Sequence, residues 1–250
     1  MTGSRNARPI IILRGCIMPF DGFTQHALDY FIAIRFDNSK SNFELNRRNY
    51  LEHVKAPLCE LHAELAPVML AIDPAICVRR GRCVSGAFND ARFSRADPVK
   101  EYMYLHFCAE KNDLSDDVPG FFMDASHDGY RCGLQIYHHT AGGMKTLRDA
   151  ALTDPEKFRA AIGGIGKSFN LEGEDYKTDR RPDAPPDLKP WLNKKSWWVG
   201  RARPIDAAFR SPGLVRELAE GFKTLAPLYV FIVKSLSDPR VRSGRAIKKM

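Results

Sequence analysis

Long apolar runs are missing from this sequence, and that absence excludes the first class of function. Nothing in it approaches the roughly 18 consecutive apolar residues of a membrane-spanning helix. The run Ile10, Ile11, Ile12 and Leu13 stops at Arg14 and Gly15. It falls short of the about 7–15 residues of a secretory core. Export is therefore not expected, no membrane partner is expected, and the chain reads as cytoplasmic.

Patterned cysteines are missing as well. The six cysteines, Cys16, Cys59, Cys77, Cys83, Cys108 and Cys132, lie among mostly apolar neighbours with no CxxC and no framework spacing. They read as reduced thiols that behave as small hydrophobes.

Catalytic signatures are equally sparse. The sequence has no G-x-S-x-G elbow. Gly163-Gly164-Ile165-Gly166-Lys167-Ser168 approaches a phosphate loop, but the first glycine of G-x4-G-K-S falls on Ala161. The segment also follows a predicted helix, where a phosphate loop must follow a strand, so it reads as a helix end and turn. His138 and His139 are neighbours on a predicted strand and point to opposite faces, with no third ligand at zinc-like spacing. No metal and no cofactor is expected.

What is present is an ordinary globular composition, 44% hydrophobic and 27% charged over 250 residues, enough to bury a core without staples. The net charge of +8 points at first to nucleic acid. Its location weakens that argument. Arg5, Arg8 and Arg14 lie in residues 1–18, and Arg240, Arg242, Arg245, Lys248 and Lys249 in residues 239–250, with no acid in either stretch. The body between them is neutral, so it has no surplus of cations to displace the counterions of a duplex. We expect a basic extension over 1–18, one domain over 19–238 and a basic tail over 239–250.

Periodicity outlines that domain. Phe23, Ala27, Tyr30, Phe31 and Ile34 share a helical face. Ser41-x-x-Glu44 reads as a capping box, in which hydroxyl and carboxylate satisfy free N–H groups at a helix start. From there Leu51, Val54, Leu58, Leu61, Leu65 and Met69 keep helical spacing to Asp73-Pro74, and Pro57 should kink or restart the helix. The period then shortens. Tyr130, Cys132, Leu134, Ile136 and His138 alternate with more polar neighbours, as in a strand. Gly120 to Ala125, Tyr102 to Cys108 and Cys77 to Phe88 read as three more. Asp128-Gly129 signals a hairpin that uses a positive φ.

Thr153-Asp154-Pro155-Glu156 starts a helix that Gly163-Gly164 should end. Residues 176–190 read as a surface loop, Lys195 to Val199 as a short extended piece, and Ser211-Pro212 as the opening of a last amphipathic helix. Helices at both ends around a run of strands predict an α+β fold, with an antiparallel sheet of about four to five strands.

One stretch breaks the charge balance. Arg79, Arg80, Arg82, Arg92, Arg95 and Lys100 face only Asp90 and Asp97. A guanidinium offers a planar fork for phosphate or carboxylate, and a neighbouring aspartate holds that fork in place. A solvated turn with a structural Asp90–Arg92 contact is the plain alternative.

The blocks Asn38 to Tyr50, His53 to Leu58, Asn89 to Ser94, Asp154 to Arg159, Leu171 to Gly173, Lys194 to Ser196 and Ala219 to Leu228 resemble the domain of unknown function 2461 family. The similarity runs from about Phe20 to Leu236. It implies an α+β bacterial domain and brings no established activity with it. The family pattern Arg-x-x-Arg-Asp-x-Arg-Phe carries over to Asp90, Arg92 and Phe93, whereas Gly86 and Asn89 stand in the places of its first two arginines.

The leading expectation is a domain that binds or acts on an anionic small molecule through Asp90 and Arg92, with Lys100 and Lys195 as partners. The second is a nucleic-acid-binding module that stacks bases on Tyr102, Tyr104, Trp197 and Trp198 and uses the basic tails. The third is a structural or interaction protein with a degenerate site. Beside a proline-rich loop, Trp191, Trp197 and Trp198 also read as plain core anchors.

Overall fold

A computed structural model describes residues 19–92, 96–109, 117–179 and 181–237. The basic extension, the basic tail, Cys16, Phe93 and Arg95 lie outside the described residues.

The chain opens with helix α1 (Gln25–Phe36), which buries Ala27, Leu28, Tyr30, Phe31 and Ile34 as the periodicity requires. Helix α2 (Lys40–Asn49) begins earlier than the expected capping box. Its cap is Ser39, whose Oγ accepts from the Asn42 N–H at 3.1 Å, and Ser41 lies inside the first turn. The Asn42 amide donates back to the carbonyls of Ala33 and Asp37, which ties the two helices together. A π-helical turn (Tyr50–Lys55) then leads into α3 (Ala56–Ile72), with Pro57 in its first turn. Proline has no N–H to place in the helical ladder, and it follows directly on the wider turn in which the Ala56 N–H reaches the Leu51 carbonyl.

Residues 77–88 do not form the expected strand. They form a four-residue helical turn, α4 (Arg80–Cys83), flanked by single bridges at Ile76, Val84 and Phe88. Arg79, Arg80, Gly81 and Arg82 are exposed in succession, which a half-buried strand with its two-residue alternation does not allow.

The sheet contains β1 (Met103–Cys108), β2 (Val118–Ala125), β3 (Tyr130–Tyr137), β4 (Asn170–Glu172) and β5 (Trp198–Arg203). All neighbours are antiparallel, in the order β1-β2-β3-β5-β4. The β2–β3 hairpin closes through the Ser126 N–H and the Gly129 carbonyl at 3.0 Å. Gly129 does not adopt the expected positive φ. A side chain is excluded there for another reason, since a Cβ would stand 2.7 Å from the Arg203 carbonyl oxygen.

Helix α5 (Ala141–Thr153) is capped by Thr140, which accepts from the Gly143 N–H, and was not apparent from the sequence. Helix α6 (Pro155–Ile162) starts as expected, with the Asp154 carboxylate accepting from the Lys157 N–H. Gly163 ends it, so the glycine-rich stretch is a helix end and turn. After the short α7 (Lys189–Leu192), β5 starts at Trp198 and not at Lys195, because the pairing that defines it, with β3, runs from Trp198 to Arg203.

Helix α8 (Gly213–Ser237) buries Leu214, Leu218, Phe222, Leu225, Leu228, Phe231 and Ile232. It lies against β2 and β3, α3 lies against β1, and α5 and α6 lie against α8. On this inner face Phe121 meets Phe222 and Tyr229, and His62 of α3 stacks on Phe107. The architecture is α+β, with helices on one side of a five-stranded antiparallel sheet. Among the described residues, no helix is long and apolar enough to cross a membrane.

Candidate functional site

The expected site residues fall into two places. Arg92 forms a two-pronged contact with Asp90, Nε to Oδ1 at 3.0 Å and Nη2 to Oδ2 at 2.6 Å, and its backbone N–H donates to the same carboxylate. That hydrogen bonding, led by the guanidinium, lowers the Asp90 carboxyl to about 2. The pair stands on an exposed turn, with side chains 78% and 45% accessible. Lys100 joins the same connection: its ammonium donates to the Phe88 carbonyl, and burial lowers its pKa.

Asn89, in the place of a family arginine, closes this connection by donating to the Asp97 and Val99 carbonyls. Lys195 is elsewhere, in the chain leading to β5, paired with Glu174 at 2.7 Å. The Asp90–Arg92 turn and Lys195 therefore do not share a site.

A different arrangement lies on the outer face of the sheet, opposite the helices. Alternation places Tyr104 and His106 of β1, Phe122 and Asp124 of β2, Arg131 and Gln135 of β3 and Trp198 of β5 on this face, and the register brings them side by side. Three glycines share it. A Cβ on Gly120 would stand 2.6 Å from His106 Nε2, one on Gly133 would stand 2.1 Å from the Val199 carbonyl oxygen and 3.0 Å from the Phe122 ring, and one on Gly200 would make only an ordinary contact with the Trp198 ring at 3.4 Å. Glycine inside a strand marks close approach here by the His106 ring at Gly120 and by the neighbouring backbone at Gly133.

The His106 and Tyr137 rings meet at 3.7 Å, and Phe122 stacks toward Trp198 at 6.1 Å. With Tyr102 they line a groove of about 360 Å³. A second cleft, of about 750 Å³, opens at the β2–β3 hairpin between Arg35, His127, Asp128 and Arg203. It shares Tyr102, Asp124 and Arg131 with the groove.

The groove's polar groups are partly desolvated. Arg131 grips Asp124 through Nε and Nη2 at 2.9 and 3.0 Å, and its guanidinium lies 5.8 Å from the centre of the Trp198 ring. Burial raises the Asp124 carboxyl above its ordinary range in spite of that partner. Burial also lowers the His106 imidazole to about 4, so it is neutral near pH 7, and raises the Tyr104 and Tyr137 phenols. Two ring nitrogens, His106 Nε2 and Trp198 Nε1, are buried and have no hydrogen-bond partner. An unpaired buried polar atom costs about 1–3 kcal/mol, so such atoms call for an explanation.

The chain matches the family model of a conserved hypothetical protein, DUF2461, over residues 26–231. It belongs to that family. No curated protein matches it.

Sequence reasoning named Tyr102, Tyr104 and Trp198 as stacking residues, and all three line the groove. Trp197 does not. It is 2% exposed, donates through Nε1 to the Trp191 carbonyl at 2.8 Å and packs on Phe158 in the core. His106, Phe122, Asp124 and Arg131 were missed. Their signal was present in the outward positions of alternating strands, occupied by rings and one ion pair, with glycines at 120, 133 and 200 between them. His138 and His139 sit past the end of β3, and no metal-binding cluster occurs among the described residues.

Proposed function

We propose that this protein binds a small molecule with a planar ring in the groove across the outer face of its sheet. One observation carries the reading: the strand register gathers the Tyr104, His106, Phe122, Tyr137 and Trp198 rings into one concave site whose lining includes the Asp124–Arg131 pair. Concave sites that combine aromatic rings with a few placed polar groups are the usual form of a ligand site. The rings supply stacking surface. The Asp124–Arg131 pair at the groove's rim would orient a polar edge of the ligand.

Adenosine and indole serve as probes, with quenching of tryptophan fluorescence and the rise in Tm as readouts. Binding of either probe that weakens at least tenfold in Trp198→Leu and in Arg131→Ala supports the reading. Equal affinity in wild type and both variants, or no binding of either probe, removes it.

A second reading is favoured by the two-pronged Asp90–Arg92 contact on an exposed turn beside Lys100. There a phosphate or carboxylate would compete with Asp90 for the fork. Lys195 takes no part in it, because it lies elsewhere. Stabilisation by inorganic phosphate that vanishes in Arg92→Ala supports this reading, and an unchanged shift rejects it.

A further inference from the structure

Three cysteines meet beside the end of β1. Ile76 forms a single antiparallel bridge with Ala109, and the Cys77 N–H donates to the Cys108 carbonyl at 2.9 Å. One step forward on one chain is one step back on the other, so Cys77 stands directly across from Cys108. Residues opposed in this way have Cα atoms about 4.5–5.5 Å apart. A disulfide spans Cα separations of roughly 4.4–6.8 Å. Cys83 completes the group, its Sγ donating to the Cys77 carbonyl at 3.1 Å. The three thiols differ in access: Cys77 and Cys83 are buried, and Cys108 is half-buried.

We propose that Cys108 and Cys77 are a redox modification site that closes to a disulfide when the protein meets a hydroperoxide. Cys108 reacts first because it is the accessible member. Its sulfur attacks the peroxide, an S–O bond forms as the O–O bond breaks, and hydrogen peroxide leaves one oxygen as water. The Cys77 sulfur then attacks the Cys108 sulfenic acid. The S–S bond forms, the S–O bond breaks, and the departing hydroxide takes the Cys77 proton as a second water. Two thiols are oxidised and one peroxide is reduced, with no other reactant needed.

Cys83 is the spectator. Burial first, and then the neighbouring Cys77 and Cys108, push its thiol up to about 12, so it stays protonated on the Cys77 carbonyl. The site also touches the sheet's outer face. A Cβ on Gly120 would lie 3.0 Å from the Cys108 Cβ and 2.6 Å from His106 Nε2. The disulfide would thus fasten one end of the groove to the segment before α4.

The test treats the reduced, folded chain with hydrogen peroxide, blocks remaining thiols under denaturing conditions and maps the peptides by fragmentation. The expected result is a Cys77–Cys108 linkage, a loss of two free thiols per chain and full recovery with dithiothreitol. In Cys77→Ser the reaction should stop at a dimedone-reactive sulfenic acid on Cys108, and in Cys108→Ser the linkage should vanish. The wild-type map decides the matter even if a variant folds poorly. A linkage through Cys59 or Cys83, or peroxide treatment that leaves Cys77 and Cys108 unlinked, overturns the proposal.

Discussion

The His106 imidazole occupies the space that a side chain on Gly120 would fill, with Nε2 only 2.6 Å from the position of the missing Cβ. The strand pair β1–β2 thus holds its polar ring by omitting an atom diagonally across from it, opposite Cys108. Gly120→Ala should displace the imidazole and the Tyr137 ring and cost about 1–3 kcal/mol, as overpacking does. Gly86→Ala meets nothing within 4 Å and has no positive φ, so it should be neutral or stabilising by up to about 1 kcal/mol. Urea unfolding of the two variants checks the contrast, and similar losses in both would show that the close approach is unimportant.

Acid should weaken the fold through the same ring. In the unfolded chain His106 takes up a proton near pH 6.5, whereas in the folded chain burial delays this to about 4. Between those values the unfolded state binds more protons, so stability falls as pH drops through the window and is complete above it. The full contribution is on the order of 3 kcal/mol. Burial shifts His62 in the same direction, so His106→Gln should remove only part of the acid sensitivity. Urea midpoints at pH 4.5 and 7.5 that change equally in wild type and variant would refute the assignment.

Arg148 is a buried clamp. It is 7% exposed, donates to the Lys194 carbonyl at 2.9 Å and lies over the Tyr176 ring at 5.4 Å. Arg148→Met keeps the packing and deletes the charged hydrogen bond, at a cost of about 1.5–3 kcal/mol. Residues 176–190 should become more sensitive to limited proteolysis, and a cleavage pattern identical to wild type would count against the clamp.

The Asp90–Arg92 contact, by contrast, is solvated on both sides. Exposed pairs contribute little to stability because water screens them. Arg92→Ala should leave the urea midpoint unchanged. A large drop would show that the turn supports the fold.

The fold was legible where one period dominates. The buried stripe of α8, from Leu214 to Ile232, and the alternation of β3 were plain in the residues alone. Legibility failed where side chains answer to partners distant in sequence. Arg201 and Arg203 lie beyond the extended piece expected over Lys195 to Val199, yet both belong to β5 because β3 pairs with them. Thr140 and Gly143 gave no clear helix start, since the Asp117 carboxylate that holds Thr140 lies 23 residues upstream. The groove was hidden for the same reason: Tyr104, Phe122, Arg131 and Trp198 come from four strands, and only the register gathers them.

The π-helical turn at Tyr50–Lys55 makes this stretch intolerant of changes in length. The Ala56 N–H reaches back to the Leu51 carbonyl, five positions away, so the turn holds a residue that an α-helix would omit. Each residue of an α-helix advances the angle by about 100°. Deleting one position here would let the spiral run on smoothly while swinging Leu58, Leu61, Leu65 and Met69 away from the interior and leaving Pro57 in mid-helix. Substitutions should therefore be far better tolerated in this segment than single-codon losses, which would leave each local turn well formed and the protein unable to close around its core.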